Sequence, residues 1–239
     1  MQTKRNEAFT FISDVESASR IEQGVELHAA GARVRVRVID DGLAEVRLAQ
    51  ENRHFEEPPF SYAVDPSFTA RDVDVTVSDR DGAYRIESRH LNVLIDRNPL
   101  RLAFSTESGP PFARDSFGMA WRGHQIHVWK ERRPEEVYYG LGEKAADMVR
   151  NDRFFVNWNT DEPGYQRDDD PLYKTLPFYL CLEPHADGST TCHGVFFDNS
   201  FRSTFDFGGS ARGHVSFGAD GGELRYYVMA GPSMQHVLE

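Results

Sequence analysis

Apolar and polar residues alternate over much of this chain. In "ARVRVRVIDDGLAEVRLA", which begins at Ala32, Val34, Val36 and Val38 alternate with Arg35 and Arg37 ahead of Asp41-Gly42. A period of two followed by Asp-Gly predicts a half-buried hairpin, valines inward and arginines in water. "VDVTVSDRDGAYRIESRHLNVLID" repeats the plan, with Val73, Val75 and Val77 before Asp81-Gly82, and Leu100, Leu102 and Phe104 then share one face. "VELHAA", between Gly24 and Gly31, also reads as strand. Further strands are expected at 125–130, 178–183, 194–199, 202–207, 215–218 and 223–229. Short strands separated by Gly, Asp and Asn turns predict an all-β fold, an antiparallel β-sandwich.

Helical spacing is scarce. It is found at the end, where Pro232 precedes Met234, Val237 and Leu238. Proline suits a first helical turn, but about two turns are too few for a helix to stand alone. The expectation is a chain that stops where another structural unit begins. With no internal repeat and no low-complexity linker, residues 1–239 read as a single domain.

Charge and composition narrow the function. Twenty-seven Lys and Arg against thirty-eight Asp and Glu give a net charge of −11 over 239 residues. Phosphate backbones reward basic patches, so neither nucleic acid nor an anionic membrane surface is an expected partner. The N-terminal stretch lacks the apolar core of a signal peptide, and no apolar run approaches spanning length. Two cysteines, Cys181 and Cys192, make neither a disulfide scaffold nor a zinc spacing. They meet across a hairpin only if the register allows it. Free thiols in a cytoplasmic protein are the expectation.

One stretch stands apart. "FFVNWNTDEPGYQRDDDPLY", Phe154 to Tyr173, holds five carboxylates (Asp161, Glu162, Asp168, Asp169, Asp170) among five aromatic rings. A buried strand does not tolerate the acids, and a solvating loop has no need of the rings. Rings that lie on pyranose C–H faces, beside carboxylates that accept from hydroxyls, make a sugar-binding surface. The plainer alternative is a long surface loop anchored by its aromatics, with Asp168, Asp169 and Asp170 solvated. Two carboxyls for glycoside hydrolysis need a separation that sequence does not give. "RDDDPLY" lacks the glycine and distal glutamate of a calcium loop, so no metal is expected there. His124 and His127 would point to opposite faces of a strand, which argues against a shared metal. "YYGLGEK" lacks the third glycine of a dinucleotide loop; its Gly140 and Gly142 read as permitting a tight backbone path. No serine nucleophile elbow or Cys–His arrangement is present, and no cofactor is expected.

"VYYGLGEK", "NWNTD", "DPLYKTLPFYL" and "HGVFFDNSF" occur here in the order and approximate spacing seen in family thirty-one glycoside hydrolases, the α-glucosidases, α-xylosidases and relatives. The chain resembles their N-terminal β-sandwich of the galactose-mutarotase-like type, more loosely through "RIESRHLNVLIDRNPLRLAFST" and "RYYVMAGPSMQHVLE". The resemblance implies a loop that projects over the mouth of a following (β/α)₈ barrel and helps form the carbohydrate pocket. It assigns Asp161 as a sugar-contacting residue, with Asn159 and Thr160 beside it and Trp158 and Tyr165 as walls. The barrel that carries the family's nucleophile and acid/base is absent from this sequence, so no residue here inherits a catalytic role. The chain alone is expected to be inactive. A free-standing carbohydrate-binding module and a mutarotase-like aldose epimerase are the alternatives, although the nine histidines map to no epimerase site.

Overall fold

The computed structural model describes residues 8–238 except 69, 108 and 232. In chain order, β1 (Thr10–Phe11), β2 (Val15–Ile21), β3 (Gly24–Ala29), β4 (Ala32–Asp40) and β5 (Leu43–Ala49) come first. A meander of β6 (Thr76–Arg80), β7 (Ala83–Glu87), β8 (Asn92–Arg97) and β9 (Leu100–Ser105) follows. Next are β10 (Asp115–Arg122), β11 (Gln125–Glu131), β12 (Val137–Gly142) and β13 (Phe154–Asn157). The last group is β14 (Thr175–Pro184), β15 (Thr190–Phe197), β16 (Ser203–Asp206), β17 (His214–Ala219), β18 (Leu224–Ala230) and the short helix α1 (Met234–Leu238). Pro232, expected to open that helix, lies outside the described residues.

These strands form three antiparallel sheets. One runs β1-β10-β11-β17-β16-β13, a second β12-β14-β15-β18-β5-β4-β3-β2, and the third is the meander β6-β7-β8-β9. The alternating pattern dictates what each buries. Val34, Val36 and Val38 of β4 meet Leu48, Val46 and Ala44 of β5 in register, all in the core. The two large sheets face one another through rings: Phe197 and Tyr226 of the larger pack on Phe217 of the other, with centroids 5.2 and 5.4 Å apart. Ile86, Val93, Ile95, Leu102 and Phe104 bring the meander into the same core. The antiparallel all-β sandwich expected from the sequence is the fold observed.

Several local readings need correction. Arg35 is half-buried and bonds Glu26 and Glu57. On the outer face of β4 and β5, Phe55 sits under the guanidiniums of Arg33, Arg35 and Arg47 at 4.4–5.0 Å. The strand expected from Val73 begins at Thr76. "YYGLG" belongs to strand β12; Gly140 has a φ of 122°, and a Cβ there would lie 2.4 Å from the Phe178 carbonyl oxygen. Its glycines do permit a close backbone path, here against β14. Cys181 and Cys192 are both free and buried. Register explains it: Cys192 lies opposite Leu182 and Cys181 opposite His193, so the thiols point to opposite sides of the sheet.

Candidate functional site

The acid- and ring-rich stretch starts as strand. Phe154 to Asn157 form β13, paired with β16, and Phe155 is buried against Phe207. From Trp158 the chain leaves the sheet and returns at Thr175 in β14. The excursion is fastened at its base. Asp170 accepts from Lys144 Nζ at 2.6 Å and from the Val156 N–H at 2.5 Å. Lys144 also donates to the Val156 carbonyl at 2.6 Å, its side chain fully buried. Burial lowers the Lys144 pKa, against the opposing pull of Asp170. Asn159 Oδ1 accepts from the N–H and hydroxyl of Thr175, and the Thr160 N–H donates to the Leu172 carbonyl.

The run Asp168–Asp170 is therefore not a uniformly solvated one. Asp170 is the half-buried fastening, Asp168 pairs with Arg153, and Asp169 accepts from the Gln166 N–H at 2.6 Å. The other two carboxylates differ. Asp161 and Glu162 are exposed, and neither side-chain carboxylate has a hydrogen-bond or ion-pair partner among the described residues. Partial desolvation, then the charges of Asp161 and Glu162, hold the Tyr173 phenol above its usual range. That phenol donates to the Glu162 carbonyl at 2.6 Å and packs edge-on to Tyr165, 6.3 Å between centroids.

At the foot of the loop lies a cleft of about 700 Å³. Trp158 and Asn159 line it; Thr160, Asp161 and Tyr165 do not. The facing wall comes from residues 56–63, with Phe60 against Tyr62 at 4.8 Å. Ser61 fixes that wall by donating to Asp198 at 2.7 Å. Asp198 also accepts from Arg225 at 3.1 Å, and burial raises its pKa despite both bonds. Glu223, also in the lining, is held by Arg47 at 2.5 and 2.9 Å. Asn157, buried, completes the floor. The sequence reading missed Phe60, Tyr62, Asn157 and Asp198. The available signal was "EEPPFSYA", a proline-rich run with two rings and no alternation, which a core strand does not explain. Among the described residues no group of three or more His, Cys, Asp or Glu is gathered to hold a metal ion. None of the described helices is long and apolar enough to cross a membrane.

Residues 33–206 match the family model described as the glycosyl hydrolase 31 N-terminal galactose mutarotase-like domain. The chain belongs to that family. It is 29% identical over 209 residues to alpha-glucosidase 2 of Bacillus thermoamyloliquefaciens, an alignment covering 84% of this chain and 26% of the relative. It is 35% identical over 105 residues to an alpha-xylosidase of Lactiplantibacillus pentosus, covering 44% of this chain and 12% of that one. The chain thus spans about a quarter or less of these relatives' length. Among solved structures, a family-31 dextranase of Flavobacterium johnsoniae complexed with glucose has the same fold, with a TM-score of 0.83 at 24% identity over 96% of this chain and 28% of that chain.

Proposed function

We propose that this chain is the non-catalytic β-sandwich of an α-glucosidase-like retaining glycoside hydrolase, and that its 158–174 loop offers Asp161 to a sugar. The observation that carries the reading is the division of labour among the five acids. Three are spent on holding the loop, whereas Asp161 and Glu162 stand exposed and unpartnered on a loop whose base is fixed. A free carboxylate on an anchored loop is ready to accept from hydroxyls. Asn159 and Thr160 spend hydrogen bonds on the loop itself and so position Asp161, with Trp158 and Tyr165 beside it. The acid/base and nucleophile belong to a barrel of the parent enzyme. The relatives are named as an alpha-glucosidase and an alpha-xylosidase, which supports a neutral α-glycoside as substrate. The reading includes a reducing, cytoplasmic setting, supported by two buried free thiols.

The test uses the enzyme that carries this domain. Charge-assisted hydrogen bonds are worth roughly 1.5–3 kcal/mol, so Asp161→Asn should lower kcat/KM for an α-glucoside by about 10- to 100-fold. Asp169→Asn, which removes the same charge from the same loop, should change it less than about threefold. Equal effects would mean loop electrostatics rather than contact. A fall in Tm with Asp161→Asn would return that residue to a structural role.

A further inference from the structure

The two arms of the 158–174 excursion are laced together at three levels. At the base, Asn159 Oδ1 accepts from the Thr175 N–H at 3.1 Å and from its hydroxyl at 2.9 Å. One step out, the Thr160 N–H donates to the Leu172 carbonyl at 2.9 Å. Beyond it, the Tyr173 phenol donates to the Glu162 carbonyl at 2.6 Å. The returning arm is the firm one. Asp170 is paired with the buried Lys144, Leu172 is buried, and Thr175 already belongs to β14. The outgoing arm, from Asn159 to Glu162, is exposed or half-buried and takes its place from these ties. Asp161 therefore lies between two tied residues, while its own carboxylate has no partner among the described residues. Of the two flanking ties, the first joins backbone to backbone, and the second is made by a side chain.

We propose that Tyr173 is a positioning residue for sugar recognition: its phenol holds the Glu162 carbonyl and so sets where the Asp161 carboxylate meets the sugar. This role rests on Asp161 as the sugar-contacting residue. A carboxylate on a free turn samples many positions, and ordering it on binding lowers affinity. A hydrogen bond from the anchored arm removes part of that ordering before the sugar arrives. The Tyr173 ring is itself placed, edge-on to Tyr165 with 6.3 Å between centroids. The phenol is therefore delivered from a defined point. After desolvation, the Asp161 charge does most to raise the phenol's pKa, so Tyr173 stays a protonated donor throughout the neutral range. Its one proton is committed to the Glu162 carbonyl, and its effect on a sugar is routed through Asp161.

The test is a double-variant cycle in the enzyme that carries this domain, with backbone NMR relaxation measured on the 239-residue chain. Tyr173→Phe removes the phenol oxygen and keeps the ring on Tyr165. It should lower kcat/KM for an α-glucoside by about 3- to 10-fold, the worth of one neutral hydrogen bond. In the Asp161→Asn background the same change should matter less than about twofold, because a tie that aims a carboxylate has nothing left to aim. The backbone order parameter of Asp161 should fall from about 0.85 to below about 0.6 in Tyr173→Phe, with the Tm unchanged. Full additivity in the cycle would overturn the proposal, since Tyr173 would then act on the sugar independently of Asp161. A lowered Tm with an unaltered Asp161 order parameter would overturn it too, because that marks a residue of the fold alone. The two claims fail separately. If Asp161→Asn leaves kcat/KM intact, the sugar contact by Asp161 is wrong and the role of Tyr173 goes with it. If Asp161→Asn lowers kcat/KM and Tyr173→Phe does not, only the role of Tyr173 is wrong.

Discussion

Two lysine–aspartate pairs, each 2.6 Å long and each with a buried lysine, sit in different parts of this molecule. Lys130 and Asp115 are opposite one another on β11 and β10, between the sheets. Asp115 also accepts from the Leu102 N–H of β9 at 2.9 Å, and Lys130 donates to the Tyr226 hydroxyl of β18 at 3.2 Å. That one pair therefore touches all three sheets. Lys144 and Asp170 instead bond each other and the backbone of Val156, so their reach is a single strand and the loop that leaves it. The same chemistry does two jobs. Between sheets it fixes how layers meet; at the loop base it fixes where a surface segment begins.

The sharpest way to break the comparison is to remove each lysine in turn. Lys130→Met strands the Asp115 carboxylate in the core, and losing one partner of a buried pair costs about 3–5 kcal/mol. Denaturant unfolding should show that loss globally. The double variant Lys130→Met/Asp115→Leu should recover most of it, because apolar replacement of a whole buried pair is often near neutral. What remains is the Leu102 N–H without its acceptor and the Tyr226 hydroxyl without its donor. A single variant within about 1 kcal/mol of the parent would mean that the pair is not the tie described.

Lys144→Met should act locally. Asp170 keeps the Val156 N–H and is partly exposed, so about 1–3 kcal/mol is expected, confined to the loop. Limited proteolysis between Trp158 and Tyr173 should quicken by about tenfold or more while the unfolding midpoint moves little. If the midpoint falls as far as with Lys130→Met, the loop is part of the global fold and the contrast fails.

What the sequence disclosed follows the same division. Strands with alternating apolar and charged residues, such as β4 and β5, were legible because one face is core and the other polar. β12 and β13 were not. Glycines at 140 and 142 break the alternation of β12, and β13 is four residues long and runs into an acidic loop. The acids of the loop were visible as a group, yet their roles were not, since whether Asp170 is solvated depends on Lys144, twenty-six residues away. The cleft was the least legible feature. It joins residues near 60, 157, 176, 198 and 223, and only folding brings them together.

The gentlest probe of the comparison is acid. Burial, with Arg133 and Lys130 adding to it, lowers the His193 pKa to about 3, while His193 stacks on Phe112 at 4.7 Å inside the core. Burial also lowers His127 to about 4. In the unfolded chain both return to about 6.5. Between that value and the folded pKa the unfolded state binds more protons, so stability falls as pH falls, by up to ~1.4 kcal/mol per pH unit for His193 alone. Above about 6.5 neither state protonates these rings, and they contribute no pH dependence. Unfolding measured from pH 7 to 4.5 should therefore steepen below about 6.5, and His193→Phe, which keeps a ring on Phe112, should remove about one proton from the slope. The segment from Val128 to Pro184, which contains Lys144 and Asp170, has no histidine. Loop opening, followed by cleavage rates normalised to an unfolded control at each pH, should accordingly stay flat from pH 7 to about 5.5 while global stability declines. An unchanged slope in His193→Phe would place the acid sensitivity elsewhere. A loop that opens in step with the core would show that the two lysine–aspartate pairs belong to one cooperative unit after all.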